Sequence, residues 1–106
     1  MSNIKKLARK NNYETLFRQL TEEAAELIVA IQKYKRSLDE NCCNLEEVNT
    51  KYNDMLKEIA DVQVCIDQLM SKDEDDTIAI ERYKEQKILR QLKRFEIEVE
   101  GIKWTT

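Results

Sequence analysis

The chain has 106 residues, 42% of them apolar and 37% charged, with a formal net charge of −3, one Gly, no Pro and no His. One Gly and no Pro leave little for tight hairpins, Gly-rich phosphate loops or repeated β-turns, so an all-α fold is expected. The lack of His excludes Ser-His-Asp and Cys-His nucleophile systems, the usual zinc sites and Glu-x-x-His di-iron bundles, and the acidic balance speaks against a nucleic-acid polymer as partner.

The length fits a single domain over 1–106, whose apolar fraction is enough for a core but not a generous one. Residues 1–12 read as a leader, in which Ile4, Leu7 and Ala8 share one face of a brief helix that Asn11 and Asn12 end. Over 13–38, Leu16, Leu20, Ala24, Leu27, Ala30, Ile31, Tyr34 and Leu38 recur at three- and four-residue steps, the pattern of a helix with one buried stripe. The stretch from Asp39 breaks that pattern, and Asn44 followed by Glu47 resembles a capping box opening a second helix over 44–71.

On the second helix Val48, Tyr52, Met55, Ile59, Val62, Ile66 and Leu69 form the main stripe, while Ala60, Val64 and Cys65 carry apolar character to another side. Two apolar faces on one helix predict a bundle completed by oligomerisation, as a homodimer or homotetramer. The acidic run after Ser71 reads as a linker rich in capping residues. A third long helix is expected over 77–99, with Leu89, Leu92, Phe95 and Val99 inward and Gly101 past its end. The fold class is therefore all-α: a helical hairpin with a third long helix.

Cys42, Cys43 and Cys65 show no Cys-x-x-Cys spacing and read as reduced thiols. No apolar run has the length of a signal peptide or membrane span, so a cytoplasmic protein with no membrane partner is expected. Tyr34 and Tyr52 read as core residues, and Trp104 as part of a loosely packed tail.

Two acidic pairs stand where acids are costly. Glu23 and Glu26 share one helix, with Glu23 inside the stripe of Leu20, Leu27 and Ile31. Glu58 and Asp61 share the next, among Ile59, Ala60, Val62 and Val64. Each pair has i, i+3 spacing and so projects from one face, and antiparallel packing would bring the pairs together. Four carboxylates with no His form a hard, oxygen-only donor set suited to Mg²⁺, with Mn²⁺ as a substitute. Lys87, Arg90 and Arg94 recur at helical steps in a segment without acids and offer a face able to grip phosphates.

The wording Gln19-Leu-Thr-Glu-Glu-Ala-Ala-Glu-Leu27, then Glu58-Ile-Ala-Asp-Val62, then the basic Lys87–Arg94 run resembles the MazG-like all-α nucleoside triphosphate pyrophosphatases. The resemblance spans about residues 13–94; the gap between Glu26 and Glu58 is longer than the usual family pattern, and Lys57 stands where another Glu is common. It implies hydrolysis of a nucleoside triphosphate between the α- and β-phosphates to monophosphate and pyrophosphate. It also implies Mg²⁺ held by Glu23, Glu26, Glu58 and Asp61, phosphate contacts from Lys87 and Arg90, with Arg94 on the same face, and Glu22 as an outer-shell ligand or water activator. The alternatives are a non-catalytic helical oligomer serving interaction or regulation, and a nucleotide binder without turnover.

Overall fold

The computed structural model describes residues 1–97 and 101. Among them are four helices and no strand: α1 (Asn3–Lys10), α2 (Tyr13–Ser37), α3 (Leu45–Lys72) and α4 (Glu74–Arg94). The chain divides into two compact units, Met1–Lys72 with α1 to α3, and Asp73–Thr106 with α4. Val99, expected inward, and Trp104, expected in a loosely packed tail, lie outside the described residues.

Each helix start is set by a short polar side chain taking an otherwise unpaired backbone N–H. Ser2 Oγ accepts from the Lys5 N–H (3.3 Å), Asn12 Oδ1 from Thr15 (2.8 Å), Asn44 Oδ1 from Glu47 (2.8 Å), and Asp73 Oδ1 from Asp75 (2.8 Å). Asn11 and Asn12 thus divide the work at one corner: Asn11 closes α1 and Asn12 opens α2.

In the first unit α2 and α3 pack as an antiparallel hairpin. Tyr34 meets Tyr52 with ring centroids 5.3 Å apart, and Asn11, just before α2, donates through Nδ2 to Gln68 Oε1 at 2.9 Å. Numbers rise along one partner as they fall along the other. The inward stripe of α2 is Leu16, Leu20, Glu23, Leu27, Ala30, Tyr34 and Ser37, all buried or half-buried. That of α3 is Val48, Lys51, Met55, Glu58, Val62, Cys65 and Leu69. Both alternate steps of three and four, the seven-residue repeat of two helices meeting along a narrow seam.

α1 is clasped to the far end of the hairpin. Ala8 is buried, and its carbonyl, near the C-terminus of α1, accepts from Lys72 Nζ at 2.6 Å. The same ammonium sits 5.4 Å from the centre of the Tyr13 ring. A cation on an orphan carbonyl at a helix C-terminus satisfies the acceptor and the macrodipole together.

Several expectations are corrected. Leu38, expected in the stripe, is 55% exposed, because α2 ends at Ser37 and the chain turns there. Tyr52 and Val64 are exposed, because the seam of α3 runs one position to the side, through Lys51 and Cys65. The linker expected between the second and third long helices contracts to Asp73, which caps α4 and draws its acids into the first turn, where the helix dipole favours them. α4 ends at Arg94, earlier than expected. Glu96 takes a left-handed φ of 55°, its N–H donates to the Lys93 carbonyl (3.0 Å), and the Ile97 N–H donates to Leu92 (2.9 Å). That pair of bonds is a Schellman motif built without Gly. Phe95, expected inward, is 71% exposed, as α4 is the only helix described in its unit. Cys42 and Cys43 lie side by side in the turn after α2 with their sulfurs close together, and Cys65 is free and buried.

Candidate functional site

Glu23 and Glu26 come from the middle of α2, Glu58 and Asp61 from the middle of α3. Glu23 occupies a seam position of α2 and Glu58 one of α3, so the antiparallel hairpin carries two carboxylates to the line where its helices meet. Glu26 lies one turn from Glu23 on the more exposed flank. Carboxylate oxygens of Glu23, Glu26 and Glu58 all lie within 4.8 Å of one another.

Among the described residues none of them forms an ion pair. Glu23 Oε2 and Glu58 Oε2 are buried and accept no hydrogen bond. A buried acceptor without a donor costs its desolvation uncompensated, and here that cost falls on two groups side by side. Desolvation raises the Glu23 carboxyl above its ordinary value, followed by the negative charges of Glu26, Asp61 and Glu58. Glu58 is raised in the same way, by desolvation first, then by the negative charges of Glu26, Asp61 and Asp54. Desolvation also pushes up the nearby Cys65 thiol, with Glu23 and Asp61 adding to the shift. Buried and raised, Cys65 favours the protonated thiol, the less nucleophilic form.

The sequence-predicted residues divide as follows. Glu23, Glu26 and Glu58 are brought together. Asp61 is exposed and outside the mutual 4.8 Å set, yet its charge acts on Glu23, Glu58 and Cys65. Glu22 is exposed and outside the set. Lys87, Arg90 and Arg94 are exposed on α4, in the second unit.

Three lysines that the sequence reading passed over also belong here. A cleft of about 430 Å³ opens beside the carboxylates, with Glu26 and Glu58 on its wall together with Lys33, Lys51 and Lys57. The signal was present: Lys33 follows Glu26 by seven residues and Lys51 precedes Glu58 by seven, two turns along the same faces.

Compared with protein-family models, curated proteins and solved structures, the chain has no match in any of the three.

Proposed function

We propose that the chain is a Mg²⁺-dependent nucleoside triphosphate pyrophosphohydrolase of the MazG-like kind, releasing nucleoside monophosphate and pyrophosphate. The observation that carries this reading is the pair of buried, unpartnered oxygens, Glu23 Oε2 and Glu58 Oε2, within a three-carboxylate cluster. An all-oxygen anionic donor set in a partly dry seam fits a small hard cation, whose binding supplies both missing partners. Natural helical seams use apolar residues at such positions, and acids placed there cost stability unless a ligand compensates them.

In this reading Glu23, Glu26 and Glu58 hold the metal, with Asp61 as the fourth ligand assigned by the resemblance. Bound there, Mg²⁺ supplies charge neutralisation at the phosphates and a water of lowered pKa. A carboxylate of the cluster takes the proton of the attacking water, Glu22 being the outer-shell alternative. The phosphate contacts of Lys87, Arg90 and Arg94 rest on the resemblance and on their shared helix face.

Assembly belongs to the same proposal. Phe17, Ile28, Val29 and Leu56 are each more than two-fifths exposed in the first unit. We take the hairpin to be completed by further copies of the chain, as a homodimer or homotetramer. The same exposure favours the second reading, a helical interaction protein without catalysis, in which the acids carry no metal.

A panel of nucleoside triphosphates with Mg²⁺ or chelator, scored for pyrophosphate and monophosphate together, tests the proposal. Matched, metal-dependent release is expected from at least one member. Glu58→Gln and Asp61→Asn are each expected to lower turnover to about a hundredth or less with helicity retained. Full activity in both variants would remove the site assignment; no release and no stabilisation by Mg²⁺ would select the interaction protein.

A further inference from the structure

The cleft beside the carboxylates is lined by charges of both signs, interleaved along α3 as Lys51, Asp54, Lys57 and Glu58. Its acids are Glu26, Glu58 and Asp54; its bases are Lys33, Lys51 and Lys57. Opposite charges lining one small cleft usually pair, yet the one ion pair among the described residues is Lys84 with Glu81, on α4. None of the three lysines has a hydrogen bond or ion pair among the described residues. The small side chains of Ala25 and Ala30 leave the space open.

The helix repeat fixes how the charges are spread. Seven residues advance a helix by about 10 Å, so the backbone of Lys33 lies about 10 Å along α2 from that of Glu26 and the backbone of Lys51 about 10 Å along α3 from that of Glu58, both toward the turn joining α2 to α3. One residue beyond each, Tyr34 and Tyr52 meet at 5.3 Å and tie the two helices together at that end. Lys51 is half-buried in the seam, while Lys33 and Lys57 lie on the cleft's exposed edges. Lysine stems can pack along such a wall with their ammonium groups turned into the opening.

A ligand that satisfies this cleft brings a cation to the carboxylates and anionic groups to the lysines beside and beyond them, and is small enough for about 430 Å³. A polyphosphate chelated to a divalent cation has that distribution of charge. We propose that Lys33, Lys51 and Lys57 form the subsite for the polyphosphate chain of such a chelate, which runs from the carboxylates toward the turn between α2 and α3. The inference rests on the hydrolase reading for the nucleotide and for the metal at the carboxylates, and goes beyond it by assigning the chain's direction and three binding residues on the hairpin itself.

Titration calorimetry with inorganic tripolyphosphate in Mg²⁺ tests it on the wild-type chain and on Lys33→Gln, Lys51→Gln and Lys57→Gln. Lys35→Gln, outside the cleft, serves as the control, and circular dichroism verifies helicity. Each cleft substitution is expected to weaken binding by about five-fold or more, and Lys35→Gln by less than about two-fold. The proposal is overturned if the wild type does not bind tripolyphosphate, or if fewer than two of the three cleft substitutions reach that loss. Lysines that merely neutralised the acids would give this second result. A chain that binds tripolyphosphate through these lysines, yet releases no pyrophosphate from any nucleotide, keeps the subsite and loses the hydrolase reading. Turnover with lysine-independent binding does the reverse.

Discussion

Glu23 and Glu58 show how a single residue type reports function when its position is wrong for stability. Folding raises both carboxyls above the ordinary value of 4.5, by desolvation first and neighbouring negative charge second. Between 4.5 and the raised values the folded chain therefore holds more protons than the unfolded one. Their contribution to stability is present in full below the ordinary carboxylate range and is lost as pH rises through the raised values. In chelator, the melting temperature is expected to fall as pH is taken from about 4.5 toward neutrality. Glu23→Gln or Glu58→Gln should raise the neutral-pH melting temperature and flatten that slope, and Mg²⁺ should raise it only in the wild type. Equal slopes in wild type and both variants would show that the carboxyls are not coupled to folding. The acids were legible in the sequence because they interrupt an apolar repeat. Lys33, Lys51 and Lys57 were not, because bases on a charged helix look solvated until the pairing of α2 with α3 places them beside the acids.

At the level of the helix, legibility follows from whether a signal is local. The Asn44 start was readable since the cap and the bonded N–H are three residues apart, and the structure has that bond at 2.8 Å. The early end of α4 was not, because Glu96 carries the left-handed conformation for which a reader looks to Gly. The seam of α3 was read partly aside for a related reason: Tyr52 is more apolar than Lys51, yet Lys51 is half-buried and Tyr52 exposed, and Glu58 shares the half-buried side with Ile59. Hydropathy finds the apolar stripe of a helix and misses a stripe into which ionisable groups have been set. Asn12 gives the element-scale prediction. Its Oδ1 takes the Thr15 N–H at 2.8 Å at the corner where α1 turns into α2. Asn12→Ala is expected to cost about 1 kcal/mol in denaturant unfolding, with Asn12→Asp close to wild type. A neutral Asn12→Ala would mean that the clasp of Lys72 on Ala8, rather than the cap, holds this corner.

At the scale of the whole chain the question is what completes the core. The buried apolar side chains among the described residues are Leu16, Ala8, Ala30 and Cys65, of which only Leu16 is large. Burial contributes about 25 cal/mol per Å² of apolar surface, and a seam whose large apolar side chains other than Leu16 are only half-buried, with Glu23, Lys51 and Glu58 among them, removes little of it from water. Meanwhile Phe17, Ile28, Val29, Leu56, Ile88 and Phe95 remain exposed on three helices. In the proposed assembly the chain gains its missing burial by association, and the stability of an associating chain depends on its concentration. The melting temperature is therefore expected to rise with protein concentration, and sedimentation to show a species of at least twice the 12.6 kDa chain mass. Placing a charge on the exposed face of the hairpin, as in Phe17→Asp or Ile28→Asp, should shift that species toward the monomer and lower its melting temperature. Neither residue lines the cleft, so metal binding by the carboxylates should persist wherever the hairpin still folds. A concentration-independent melt with a monomer in sedimentation would leave the small seam to sustain the fold unaided, and the oligomer would have to be abandoned.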